Sequence, residues 1–515
     1  MRAAAAIFIL AFLPAVPAGA KESAPSAHAA VAEALAAMDS ARDLRSAARL
    51  RLEVNVVTRD IVENEHSGEP YPVGTSNAVY TDDFGRFDRV AETLSRDRAS
   101  VSLREISQGI ADQFDRIANG KPVRARMTLA PPGWELRDPF LALRLADAAP
   151  DLKVVPDTIL HARRQIVVAF SLRGSRARLL IDAETHLITA AEGLFACGHA
   201  TSSEVACGTF GDLVERTEFM IWDAADGLRY PTQWDIYRNG VHLQTIIVSG
   251  PPRLDPPRPT DAEIAAETSA AAARLEASDA DSIPLGRALY EAPDPHRGIE
   301  EIAPGIVQIP GSWYVTLVRQ DDGIVVIDAP ISSGYSAEAI REAARRFPGL
   351  PIKALITSTA FSWHIAGARE YAARHIPIYV LDGNAPVLRK LLAAPRRLRP
   401  DRLARKPVRP ILRIVTGRIQ VGHGRNAILV MPIALAAEPM LMTYIPDAHL
   451  LHTGEMIQPL GPGGSLINPE SLFEIRQTIA REGLHPERLI GMHMSPLPRA
   501  ELDAAVRRAG FPDGG

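Results

Sequence analysis

At 515 residues the chain exceeds what one hydrophobic core normally serves, so two or three domains are expected. Its 46% hydrophobic and 23% charged residues exclude wholesale disorder and fibrous repeats, and a net charge of -4 gives no global reason to expect nucleic acid. Two cysteines are too few for a disulfide scaffold or a four-thiolate iron–sulfur cluster.

The N-terminus opens with Arg2, an apolar stretch from Ala3 to Leu13, and the small residues Ala18-Gly19-Ala20. This pattern reads as a secretory signal over residues 1–20, with a mature chain from Lys21 and a periplasmic or secreted location. The apolar run is too short to span a bilayer and no later uncharged run reaches that length, so no transmembrane segment is expected. In an oxidising compartment Cys197 and Cys207 can close one disulfide loop; a metal site from Cys197, His199 and Cys207, or two free cysteines, are the alternatives.

From residue 28 an alanine-rich segment predicts a helix passing, near residue 50, into the alternating strand LRLEVNVVTRDIV. Between 76 and 250 the chain reads as short strands, among them QIVVAFSL, RARLLIDA, RTEFMIWD, YPTQWDIYR and VHLQTIIVS. Asn239-Gly240 is the sharpest hairpin signal. Residues 21–250 are therefore expected to form a helix-covered antiparallel sheet, with Tyr230, Trp234 and Tyr237 as sheet packing. The prolines of PPRLDPPRP open a linker-and-helix segment over 251–297. From 298 to 515 strands alternate with helices such as SAEAIREAARRF, HIAGAREYAARH and PESLFEIRQTIARE. The resulting class is α+β, with a C-terminal αββα sandwich of two sheets between helical layers.

Four phrases in this last region, WYVTLVRQDDGIVVIDAP, ALITSTAFSWHIAGAREY, MLMTYIPDAHLLHTGEM and LIGMHMSP, resemble the metallo-beta-lactamase fold superfamily in kind and order. The resemblance covers about 220 residues and implies the αββα fold. The family's signature is a His-x-His-x-Asp-His loop followed by small residues. Aligned on His364 and Ala366-Gly367, its two earlier histidines fall on Thr359 and Phe361 and its aspartate on Trp363. A further family histidine falls near Leu435, the bridging aspartate on Glu455, and the last histidine on His493. The three imidazoles of a first metal position are thus gone, while His364, Glu455 and His493 would remain for a second. The resemblance implies at most one zinc, or none, held by these three residues as the candidate catalytic and metal-ligating set.

His452 lies three residues before Glu455 and reads either as a group reaching a neighbouring loop or as a surface or backbone-bonded side chain. Ser358, Thr359 and Trp363, with His452, are the candidate ligand-binding residues. No GxSxG elbow surrounds a plausible nucleophile, and GPGGSL at 461–466 lacks the lysine of a phosphate loop. Residues 389–418 carry eleven basic residues against Asp401 alone, +10 locally. Such a strip suits a carboxylate, a phosphate or an anionic membrane surface, or forms a solvated face paired with acids elsewhere. The N-terminal strands loosely resemble the curved-sheet domains of exported lipoprotein carriers, which implies an apolar ligand.

These readings converge on an exported hydrolase-like protein acting on an ester, amide or lactone. The alternative is a catalytically silent relative that binds an anionic or amphipathic small molecule or an envelope partner. Neither involves nucleic acid.

Overall fold

The computed structural model describes residues 26–512, apart from 40–43, 45, 60–70, 85–87, 97–101, 111–112, 119–120, 123–132, 173, 197–209, 257–283, 287–297, 434–438, 456, 460–465 and 467–468; for 88–122 it describes backbone alone. The leader, Cys197, Cys207, Leu435 and the glycine-rich stretch 461–465 lie outside the described residues.

Fourteen strands of the N-terminal part make one antiparallel sheet. Arg49–Arg59 stands at its middle, and the strands that follow it up to Pro122 run outward from it in chain order. The strands between Lys153 and Val248 return from the far edge, bringing Val241–Val248 against Arg49–Arg59. Leu50, Leu52, Val54 and Val56 alternate to one face and are buried beneath the helix Ala27–Met38 and a second helix, Pro139–Ala148. Asn239 (φ 46°) and Gly240 (φ 83°) form the expected two-residue turn, both in the left-handed region that such a turn requires.

Three local readings change. The first helix stops at Met38 rather than running towards residue 50, because Asp39 turns extended (φ -128°, ψ 103°) and bridges Leu228. The second helix, absent from the sequence reading, is started by Asp138: its Oδ1 accepts the N–H groups of Phe140 (2.8 Å) and Leu141 (2.9 Å), and Pro139 occupies the first turn. The proline-rich segment does not leave the sheet at residue 251, since Arg253–Leu254 still pairs with Arg49–Arg59 and Asp255 accepts the N–H of Ala48 at 2.7 Å.

From residue 300 onward two mixed sheets follow, each with its strands side by side in chain order. The first has seven strands, from Glu300–Ala303 to Leu412–Val415, and the second six, from Ile419–Val421 to Met494–Pro498. In the strand Gly323–Ile327, Ile324 and Val326 join the core beneath the helices Ser333–Arg346, Ala368–Ala373 and Ala385–Ala393. Val325 and Ile327 point the other way, into a core shared with Val430, Leu441, Ile445 and Ile490 of the second sheet. That sheet buries Met442, Leu451 and Leu489 under the helices Pro469–Arg481 and Arg499–Arg508. Strands buried on both faces account for the continuous apolar runs GIVVI and MLMTYI and produce the helix–sheet–sheet–helix order expected from the sequence.

Gly367 separates the short helix Ser362–Ile365 from Ala368–Ala373, which the sequence reading joined as one helix. A Cβ there would lie 2.7 Å from the carbonyl oxygen of Ser332 and closer still to Ser336 Oγ, so only glycine lets this segment pack on the start of Ser333–Arg346. Ile327→Ala, which opens a cavity between the sheets, is expected to cost about 3 kcal/mol. Arg345→Ala, on an exposed helix face, is expected to leave the urea midpoint unchanged. Equilibrium urea unfolding followed by circular dichroism checks both.

Candidate metal centre

The strand Gly323–Ile327 ends at Asp328, a non-glycine residue at φ 67°. Its backbone N–H donates to the Ile356 carbonyl (2.8 Å), while its carboxylate accepts the N–H of Ser358 at Oδ1 (2.7 Å) and the hydroxyl of Ser358 at Oδ2 (2.9 Å). The loop after Ile352–Ile356 is therefore held at two atoms of one residue. The carbonyl of Ser358 accepts from Leu441 of the second sheet (2.9 Å), which ties the sheets together at this end. His452 places Nε2 3.6 Å from Asp328 Oδ2, and its Nδ1 accepts the Gly454 N–H (3.2 Å), which puts the ring proton on Nε2. Burial pushes the Asp328 carboxyl up to about 7, against the two Ser358 hydrogen bonds, and pushes His452 down to about 3.

Above this base the loops bring three donors together. His364 comes from the helix Ser362–Ile365 after the fifth strand of the first sheet. Glu455 follows the strand Leu450–His452, and Gly454 at φ 69° turns the chain between them. His493 sits in the turn between Arg488–Gly491 and Met494–Pro498. The Met492 N–H donates to the Gly454 carbonyl (2.9 Å), and the Tyr314 N–H to the Met492 carbonyl (2.7 Å), so the last two loops are clamped to each other and to the first sheet. One ligand atom each from His364, Glu455 and His493 lies within 4.8 Å of the others.

His364 Nδ1 is 2.5 Å from Glu455 Oε2, and its other ring nitrogen, Nε2, is buried without a hydrogen-bond partner. Trp313, Phe361 and Trp363 surround its ring at centroid separations of 5.8, 5.4 and 6.1 Å, and the His493 ring stands 5.7 Å away. Burial drives His364 well below the ordinary histidine value; burial, then the adjacent His364, brings His493 to about 3. Both rings are consequently neutral at pH 7, the form in which imidazole donates a lone pair. Two neutral imidazoles and one carboxylate, with His364 Nε2 buried and unsatisfied, are a donor set that fits a single zinc.

Thr359, Phe361 and Trp363 occupy the loop positions where the resembled family has ligands. Thr359 is fully buried and its Oγ1 accepts the Phe361 N–H (3.3 Å); Phe361 packs on His364; Trp363 stacks on Trp313 at 5.9 Å. Of the residues read as ligand contacts, Ser358, Thr359 and His452 are 0–1% exposed. Only Trp363 among the four keeps partial exposure. Trp313 and Asp328 were not singled out from sequence. Asp328 could have been, as a carboxylate directly ending a wholly apolar strand.

No protein-family model matches the chain, and no curated protein matches it. Among solved structures it is similar to the inverting sec-alkylsulfatase Pisa1 from Pseudomonas sp., at 19% identity over 42% of this chain and 42% of that one, with a TM-score of 0.32. It is similar to the mono-zinc form of metallo-beta-lactamase FIM-1 from Pseudomonas aeruginosa, at 14% identity over 42% of this chain and 96% of that one, TM-score 0.32. The metallo-beta-lactamase of Hirschia baltica gives 15% identity, 42% and 100% coverage, and 0.31. The chain spans less than half of the alkylsulfatase. These matches are distant and partial.

Replacing Asp328 by alanine strands the Ser358 N–H in the core and is expected to cost about 3 kcal/mol, whereas Asp328→Asn retains an acceptor for it and is expected to cost well under half of that. Urea unfolding distinguishes the two. His493 is neutral when folded and takes up a proton on unfolding below its ordinary value, so its contribution to stability is complete above pH 6.5 and is lost as pH falls towards 3. In chelator-treated protein, His493→Gln is expected to flatten the stability–pH slope between pH 4 and 6 by about one proton, about 1.4 kcal/mol per pH unit.

Proposed function

We propose that this chain is an exported hydrolase-like protein whose C-terminal domain acts on an ester, amide or lactone with at most one zinc held by His364, Glu455 and His493. The observation that carries the reading is His364, a buried imidazole whose Nδ1 meets the Glu455 carboxylate at 2.5 Å, whose Nε2 has no hydrogen-bond partner, and whose ring stands beside His493. Buried polar groups in native proteins find partners, and a centre built to remain empty would waste the desolvation of all three groups. A zinc ion there would supply Lewis acidity towards a carbonyl oxygen and a lowered pKa for water.

The chain's own residues do the rest. His364 and His493 stay unprotonated at neutral pH, so no proton competes for their lone pairs. Glu455 contributes the negative charge that a dication requires and is close enough to His364 to exchange a proton with it in the metal-free protein. Trp313, Trp363 and Phe361 narrow the approach and keep the His364 ring out of bulk water. Reactant carbonyls would enter beside Trp363, the partly exposed member of this group. Export rests on the leader pattern of residues 1–20; among the described residues no helix is long and apolar enough to cross a membrane.

The silent, ligand-binding alternative is favoured by one specific observation. Phe361 and Trp363 stand where donors would complete a larger site, and aromatic rings cannot substitute for them.

Equilibrium dialysis with zinc tests the first reading. The parent is expected to bind one ion, and His364→Ala and His493→Ala are each expected to weaken binding at least about tenfold. Two tightly held ions would reject the assignment, and none on folded parent would leave the silent reading.

A further inference from the structure

The strand Leu450–His452 runs out just before the candidate metal centre, and the last main-chain bond on this path is from the Thr453 N–H to the Ile490 carbonyl (2.9 Å). The next donor, the N–H of Gly454, is buried where the chain turns at φ 69° towards Glu455. A buried amide donor needs an acceptor. The His452 side chain supplies one from two residues back, with Nδ1 3.2 Å from the Gly454 nitrogen. Asn and Asp side chains commonly close this ring onto the amide two residues on, and here an imidazole closes it.

The same glycine is held on its other side. Its carbonyl, part of the peptide that leads into Glu455, accepts the N–H of Met492 (2.9 Å), the residue before His493. The approach is close: a Cβ on Gly491 would lie 2.7 Å from the Gly454 carbonyl oxygen and 3.3 Å from Thr453 Oγ1. The Met492 carbonyl in turn accepts from Tyr314 of the first sheet (2.7 Å). One main-chain unit, Gly454, is therefore bonded to His452 at its N–H and to the His493 loop at its carbonyl.

His452 makes no other hydrogen bond among the described residues. Its Nε2 is buried without a partner, 3.6 Å from Asp328 Oδ2 and beyond hydrogen-bond length. An aliphatic side chain would fill the same place without the cost of desolvating an imidazole, so the bond to Gly454 is what the ring contributes there. Burial keeps the ring neutral at pH 7, with Nδ1 accepting and the proton on Nε2. Its lone pair is taken by Gly454, and the ring offers an ion no donor.

We infer that His452 is a positioning residue of the candidate metal centre: its Nδ1 fixes the Gly454 peptide, and that peptide sets Glu455 and His493 relative to each other. The inference rests on the reading of His364, Glu455 and His493 as one centre, and measurements without zinc and with it separate the two.

Substitution distinguishes the two ring nitrogens. Asn carries an oxygen in the place of Nδ1 and keeps an acceptor for Gly454, whereas Gln reaches the place of Nε2 and leaves that N–H unmatched. Both remove ring volume from the core, so a merely structural role predicts similar losses in the two. In the chelator-treated full chain, hydrogen exchange at the Gly454 and Met492 amides is compared with that at Ile324 and Leu355, whose N–H groups are bonded at 2.8 and 2.9 Å in the first sheet. His452→Gln is expected to speed exchange at Gly454 and Met492 at least about tenfold over the reference amides, and His452→Asn to stay within about threefold of the parent. In equilibrium dialysis with zinc, His452→Gln is expected to bind at least about tenfold more weakly than the parent and His452→Asn within about threefold of it. Nitrogen NMR of the histidine-labelled parent is expected to find the His452 proton on Nε2, a measurement that needs no variant to fold. Equal exchange of the Gly454 amide in the two folded variants, parent-like zinc affinity in folded His452→Gln, or the proton on Nδ1 would each overturn the inference. A folded parent that takes up no zinc would remove the zinc reading alone, and exchange and the tautomer would then decide.

Discussion

The Asp328 carboxylate holds the functional end of the C-terminal domain together. It is the point where a strand buried on both faces stops and polar groups must be satisfied inside the protein. By taking both hydrogen bonds that Ser358 can donate to it, it aims the loop that carries His364; by lying beneath His452, it sets the exit of the strand that leads to Glu455. Neither neighbour is itself a ligand in the geometry described above. Their burial is what makes the overlying donors rigid, and a preorganised donor set loses less entropy when it closes on an ion.

That base has an electrostatic consequence. Asp328 and His452 are shifted in opposite directions by the same burial, so at mildly acidic pH the folded pair holds one proton, as its unfolded counterpart does with the histidine charged and the carboxylate ionised. The pair is therefore nearly neutral in its effect on acid stability, and the sensitivity of the centre to pH falls on His364 and His493, which face each other across it. Chemistry that needs neutral imidazoles and a fold that is stable with them neutral have the same pH requirement.

The two polar constructions of the domain are built in contrasting ways. At the centre of His364, Glu455 and His493, a buried imidazole faces a carboxylate within a ring of aromatic side chains. Beside the helix Arg402–Arg405, Arg369 is engaged by Asp401 and three main-chain carbonyls. The first arrangement offers lone pairs to a cation, whereas the second is a closed network in which a buried charge is matched by its own protein partners.

Much of the architecture was legible in the residues. Alternation in YPTQWDIYR and VHLQTIIVS, the Asn239-Gly240 turn and the doubly apolar runs GIVVI and MLMTYI required their structures through local sterics and burial, and His364, Glu455 and His493 could be aligned because they sit at strand ends with characteristic neighbours. The second helix of the N-terminal part was missed although Asp138-Pro139 announces it, and the break at Gly367 was missed because only a neighbouring helix, through Ser332 and Ser336, demands it. Sequence by itself determined which side chains were available and which segments must be strands or helices, since periodicity and turn chemistry act over a few residues. The tertiary structure alone decided that Ser358 and His452 meet at Asp328, that Arg369 is held by Asp401 and three main-chain carbonyls, and that three donors from three loops meet within 4.8 Å. These depend on desolvation and on contacts between residues tens to well over a hundred positions apart, which no local pattern encodes.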